Sequence, residues 1–211
     1  MSEQFKNKKL EFRFCRSRHR FGRCPGCSNC RADALRETML TIIMETRDNE
    51  AELAQTLAVL VAGAVEGLVS DVIILDHGSK DGSSDVADAA GCRFCRDWDL
   101  ADVVGSARGE WLMLLEPGAR PIGRWIDELA EYVSMNKAPA RFSGSRLHRR
   151  PFFRRLTRRG KPLETGFLLR KNDALAAARG NTGLDAMTNV RSVRKLSTEL
   201  VPAWVAVEAR R

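Results

Sequence analysis

Three stretches of this 211-residue chain set acidic or basic side chains beside residues that turn the backbone. Arg47-Asp48-Asn49-Glu50 follows Leu40-Thr-Ile-Ile-Met-Glu-Thr46. Asp76-His-Gly-Ser-Lys-Asp-Gly-Ser-Ser84 follows Asp71-Val-Ile-Ile-Leu75. Glu116-Pro-Gly-Ala-Arg-Pro121 follows Trp111-Leu-Met-Leu-Leu115. Each polar stretch closes an apolar, strand-like run, which gathers Glu45, Arg47, Asp48, Asp76, His77 and Glu116 at strand ends. Parallel sheets bind their ligands beyond those carboxyl ends. Gly78 and Gly82 let the middle loop turn tightly. Asp81 reads as a loop stabiliser or a cap for the next helix rather than a ligand contact. An ordinary strand-to-helix turn uses the same residue types, so the loops alone do not decide between binding and scaffolding.

The elements that would position these loops follow from periodicity. Leu40–Thr46 and Asp71–Leu75 are apolar and β-branched, as strands covered on both faces are. Ala51–Val65 puts Leu53, Leu57, Leu60, Val61 and Ala64 on one helical face. Its cap would be Asp48 or Asn49. A short helix is expected over Asp85–Ala90, stopped by Gly91, and a third strand over Cys92–Cys95. A helix over 99–108, a strand over Trp111–Leu115 and an amphipathic helix over Trp125–Met135 complete the pattern. Strands alternating with helices at this spacing predict a single α/β domain with a mostly parallel, Rossmann-like sheet flanked by helices.

Charge divides the chain. Net charge is +6 over residues 1–38, −10 over 39–140, +9 over 141–161 and +3 over 162–211. The first 38 residues lack an apolar period, which separates them as a basic tail from a domain over 39–211. The tail is either disordered or a non-native extension, with translation starting at Met39. Cys24-Pro-Gly-Cys27-Ser-Asn-Cys30, with Cys15 and His19, has the spacing of half a zinc knuckle, and no second pair completes it. Cys92 and Cys95 lie in a strand with thiols on opposite sides, which argues against a redox pair. The longest apolar candidate, Leu53–Val69, is broken by Gly63, Glu66 and Gly67, well short of the roughly 20 residues a membrane span needs. No secretory leader is evident, so a cytoplasmic protein is expected.

The three motifs, in this order, resemble a family-two glycosyltransferase of the GT-A fold. The loop after the second strand is similar to that family's Asp-Asp-Gly-Ser-x-Asp-Gly-(Ser/Thr). Ala107-Arg-Gly-Glu-Trp111 is similar to its segment before the metal-binding strand end. Pro162–Lys171 resembles its acceptor-side strand and Leu196–Arg211 its closing strand. The resemblance covers about residues 40 to 211. It implies a nucleotide-diphosphate sugar as partner, with Thr46, Arg47 and Asp48 against base and ribose. Asp76 would accept hydrogen bonds from uracil or ribose. His77 and Gly78 complete the donor loop, with His77 reaching a phosphate or standing exposed.

The departures concern the chemistry. The family ends its fourth strand with Asp-x-Asp, which holds a divalent ion on the leaving diphosphate. Here Glu116-Pro117-Gly118 leaves Glu116 as the single carboxylate for Mg or Mn, because Gly118 replaces the expected Asp. Arg120 either supplies guanidinium charge in place of an ion or is a solvated turn arginine. The family's Glu-Asp pair, the source of the proton acceptor, is missing near 183–191. Asp185 is the nearest carboxylate and the catalytic candidate, ahead of Glu164; a helix cap is the other reading of Asp185. The strip 141–161 sets Arg149, Arg150, Arg154, Arg155, Arg158 and Arg159 at helical spacing around Phe152, Phe153 and Leu156. That pattern suits an anionic membrane surface on the inner face, or a solvated helix packing its Phe residues inward. Nucleic acid is disfavoured, since no recognition motif accompanies the strip and the acidic half repels a polyanion. The sequence therefore points to sugar transfer from a nucleotide-diphosphate sugar to an envelope glycan or lipid. The alternative is a catalytically silent domain that keeps the fold for nucleotide binding or membrane docking. A nucleotidyltransferase would want a Gly-rich basic loop after the first strand, which Thr46–Asn49 is not.

Overall fold

A computed structural model describes residues 39–148, 162–180, 183–190 and 192–210. The proposed tail and its cysteines, and the arginine-rich 149–161, lie outside them.

The described residues form an eight-stranded sheet ordered β3-β2-β1-β4-β7-β6-β8-β5. β1 (Leu40–Thr46) lies at its heart, parallel to β2 (Val69–Asp76) on one side and β4 (Trp111–Leu115) on the other. β3 (Arg93–Cys95) extends the parallel half beyond β2. β7 (Phe167–Arg170) runs antiparallel to β4, and β6 (Ala140–Gly144) antiparallel to β7. β8 (Arg194–Val201) is parallel to β6 and antiparallel to β5 (Arg120–Pro121). The expected parallel sheet is thus the half that carries the three loops; the other half is mixed.

Helices cover both faces, which is why the middles of the central strands are apolar. Ile42 and Met44 pack with α1 (Glu50–Val65) and α4 (Trp125–Met135), together with Ala87 of α2 (Ser83–Ala89). Ile43 packs on the opposite face with α3 (Leu100–Ser106) and α5 (Lys171–Ala178). A 3-10 helix (Leu184–Thr188) joins that second layer through Leu184 and Met187. Cys92 and Cys95 contact different layers and are free thiols. Burial, with the Asp71 and Asp88 charges adding to it, pushes the Cys92 thiol up to about 12, far from a reactive thiolate.

Several expectations need correction. The segment Leu196–Arg211 is not one strand: β8 ends at Val201, and α6 (Ala203–Ala209) follows Pro202. Proline has no N–H for a ladder and suits a helix start. The expected face of α1 is buried at Leu53, Leu57 and Leu60 and half-buried at Ala64, but it turns through Glu52, Thr56 and Gly63 rather than Val61. Contacts from outside the sheet explain the turn: Arg210 Nη1 reaches Glu52 Oε2 at 3.3 Å, and Thr56 Oγ1 donates to Ala119 O at 3.0 Å. The start of the basic strip is strand. Phe142 is core, and Arg141 donates to Thr188 O at 3.1 Å while its guanidinium lies over the Phe167 ring. Arg141 is therefore fold, not membrane contact.

Candidate functional site

The ends of β1, β2 and β4 share one edge. Thr46 stands opposite Asp76, and Met44 opposite both Ile74 and Leu115, so Glu116 leaves β4 beside the two loops. Neighbouring strands lie about 4.8 Å apart, close enough for one small ligand to touch all three.

The first two loops are sewn together by side chains. Ser79 Oγ accepts from the Asp48 N–H at 3.0 Å and donates to Asp76 Oδ1 at 2.5 Å. The Ser79 N–H also points at the Asp76 carboxylate, 3.0 Å from Oδ1 and 3.2 Å from Oδ2. Asp48 Oδ1 accepts from the Lys80 N–H at 2.7 Å, and Asp48 has φ +53°, a left-handed backbone that Asp tolerates better than most residues. Neither Asp48 nor Asn49 caps α1 with its side chain. The cap comes from the neighbouring loop instead: Asp81 Oδ2 accepts from the Glu50 N–H at 2.9 Å, and Glu50 Oε2 in return accepts from the Gly82 N–H at 3.1 Å. Burial works to raise the Asp81 carboxyl, but contacts from Ser83 and the Glu50 N–H prevail and hold it below the ordinary carboxylate range.

Asp76 is 3% exposed, and its carboxylate is held by Ser79. It organises the loop. Thr46 is buried, its hydroxyl has no protein partner among the described residues, and its carbonyl accepts from the His77 N–H at 2.9 Å. Arg47 is exposed, and Gly78 has φ +83°, the conformation the loop required of it. His77 stands at the surface with Nε2 3.3 Å from Glu45 Oε2 and its ring edge-on to Trp98. Glu45 Oε1 accepts from the Leu184 N–H at 2.7 Å, which draws the 3-10 helix, and the exposed Asp185 next to Leu184, to the end of β1. Glu164 is elsewhere, with Oε1 accepting from Trp204 Nε1 at 3.0 Å. Arg120 turns to α1, where Nη1 donates to Gln55 Oε1 at 2.9 Å.

Sequence reasoning noted Glu45 at a strand end without giving it a role, and missed Ser79 and Trp98. Ser79 was findable, because an Asp with a Ser three residues on is a turn that closes on itself. Trp98, whose Nε1 donates to Asp76 O at 3.2 Å, leaves no local signature.

The loop after β4 is different. Gly118 has φ +95°, and a Cβ built on it would lie 3.0 Å from Ala203 O and 3.1 Å from Ala206 Cβ of α6. Its N–H donates to Thr56 Oγ1 at 2.7 Å. A side chain at this position would therefore be crowded by a helix as well as strained by its backbone. Among the described residues no three His, Cys, Asp or Glu side chains cluster as metal ligands. At this strand end Glu116 is left without a second carboxylate at position 118. The glycine of the Ala107–Trp111 segment also has a packing reason: a Cβ on Gly109 would lie 2.4 Å from Met39 O.

No family model and no curated protein sequence matches the chain. Solved structures do match in fold. Glucosyl-3-phosphoglycerate synthase from Mycobacterium tuberculosis, in complex with Mn2+, uridine diphosphate and glucosyl-3-phosphoglycerate, superposes with a TM-score of 0.54 at 13% identity, over 90% of this chain and 86% of that one. The same enzyme in another crystal structure gives 0.52 at 16% identity, over 85% and 77%. Mannosyl-3-phosphoglycerate synthase from Rubrobacter xylanophilus gives 0.52 at 13% identity, over 77% and 68%. The fold is GT-A, as the order of motifs implied.

Proposed function

We propose that this chain is a glycosyltransferase that binds a nucleotide-diphosphate sugar across the ends of β1, β2 and β4. One observation carries the reading: the Asp48 and Asp76 loops are tied into a single rigid rim through Ser79, at the same edge where Glu116 leaves β4. The GT-A neighbours add weight, since the mycobacterial synthase was crystallised in complex with uridine diphosphate. In this reading Thr46, Arg47 and Asp48 meet the base and ribose. Asp76 acts mainly by shaping the loop, with Gly78 supplying its turn. His77, steadied by Glu45, faces the ligand from the second loop. Glu116 borders the leaving diphosphate. Asp185, beside the Glu45 anchor, is the acceptor-side carboxylate that takes the hydroxyl proton.

The acceptor proposed is an envelope glycan or lipid, with the protein working in the cytoplasm and docking on the inner membrane face through the basic strip. No helix among the described residues is long and apolar enough to cross a membrane. Because β6 absorbs the start of the strip, docking would fall to 149–161. Vesicles with anionic lipid should sediment the protein at low salt and release it at high salt; indifference to lipid charge would remove the membrane part alone.

A silent nucleotide-binding module is the second reading, favoured by the closed position at Gly118 and by the engagement of the Asp76 carboxylate with Ser79. Calorimetry with UDP and GDP, followed by a donor-hydrolysis assay with UDP-glucose and GDP-mannose, separates them. Binding with turnover supports the enzyme, and binding without turnover supports the module. Folded protein that binds neither nucleotide overturns both.

A further inference from the structure

We infer that this chain binds its nucleotide diphosphate without a divalent cation, because the position of the second metal-binding carboxylate is a left-handed glycine packed tightly against helix α6. The inference rests on the donor reading above and sharpens it. A GT-A strand end that uses Asp-x-Asp needs room for the second side chain to point at the ion. Here three separate observations close that room. Gly118 adopts φ +95°, which L side chains rarely adopt. Ala203 and Ala206 of α6, both buried, would lie only 3.0 and 3.1 Å from the first atom of a side chain there. Thr56 then fixes the loop from below, accepting from the Gly118 N–H and donating to Ala119 O. The arrangement goes beyond a lost ligand in an otherwise unchanged site. Two alanines at i and i+3 present a small face to the glycine, so helix and loop pack closely as one unit.

The pair is also held from its far end. Arg210, just past α6, reaches the buried Glu52 of α1. Moving α6 aside to admit a metal ligand would break that contact and uncover the buried Gly118–Ala119 turn, which Thr56 holds from the α1 side. With no ion, the countercharge for a diphosphate falls to side chains of the rim, where Arg47 and Lys80 are both exposed.

The test is titration calorimetry of the full chain with UDP, once in EDTA and once in manganese. The inference expects dissociation constants equal within about twofold, since an ion bridging the diphosphate would contribute far more than that. Affinity at least tenfold tighter in manganese overturns the inference and leaves the donor site standing. No UDP or GDP binding under either condition overturns the donor reading and the inference with it. Gly118→Asp supplies an independent check: it should lower the melting temperature and gain no manganese response. A variant that stays folded and binds UDP more tightly only when manganese is present would show that the position is open after all.

Discussion

Two loops leave the same edge of the sheet and are built in opposite ways. The 76–82 loop is held by side chains reaching across to the neighbouring loop, and its surface stays accessible at His77, Gly78 and Lys80. The 116–119 loop is held by its backbone, with Gly118 and Ala119 buried between α1 and α6. The first construction leaves polar groups facing outward for a ligand; the second uses them up in packing. A strand end can therefore keep its place in a binding edge while its own chemistry has been converted to structure.

The contrast can be broken most forcefully at Thr56. Thr56→Val removes the hydroxyl that serves both Gly118 and Ala119 and leaves buried backbone groups unpaired. A loss of about 2–3 kcal/mol is expected in urea unfolding, with the denaturant slope unchanged. A loss under about 0.5 kcal/mol would mean the loop is not held as described.

Ser79→Ala acts on the other loop, and its main effect should be on ligand. Removing the hydroxyl frees Asp76 and Asp48 from each other. UDP affinity should fall roughly tenfold, about 1.4 kcal/mol, while stability falls by about 1 kcal/mol. Equal affinity would show that the rim need not be rigid.

Replacing Arg47 and Lys80 together with alanine leaves every contact of the 116–119 loop intact. UDP affinity should fall by roughly threefold to tenfold at low salt, and the difference should shrink at high salt. Insensitivity to both changes would place the diphosphate away from these cations.

The smallest effect is acid-dependent. Asp81 titrates lower in the folded protein than in the unfolded chain. Its contribution is therefore fully present above the unfolded value of about 3.9 and fades as pH drops through the lower, folded value. Asp81→Asn should lose a few tenths to 1 kcal/mol at neutral pH, and the gap from wild type should narrow below about pH 4. A gap that widens on acidification would contradict the assignment.

The sequence showed the parallel half of the fold more clearly than the rest. Leu40–Thr46, Trp111–Leu115 and Trp125–Met135 run between the residues expected, because a strand covered on both faces and an amphipathic helix each carry a pattern of their own. β5 is two residues long and exists only through β8, so nothing local announces it. α6 was hidden inside a segment expected as strand, since Trp204-Val-Ala-Val207 suits either element and only Pro202 marks the change. At the site, the polar residues at the strand ends were legible because loops after parallel strands are easy to place. Their connections were not: Asp48 meets Ser79, which also binds Asp76, across a separation of 31 residues, a relation set by sheet order rather than by spacing.

The seal on the 116–119 loop also has a meaning in time. During vectorial synthesis, Gly118 emerges from the ribosome long before Ala203, Ala206 and Arg210 do. Until the later residues arrive, the Glu52 carboxylate lacks its Arg210 partner and one side of Gly118 is uncovered, although Thr56 already has Gly118 and Ala119. Contacts so distant along the chain form late and slowly. The rim around Asp48 and Asp76 is thus built from segments made early, whereas the α6 side of the Gly118 turn waits for Ala203 and Ala206, made far later.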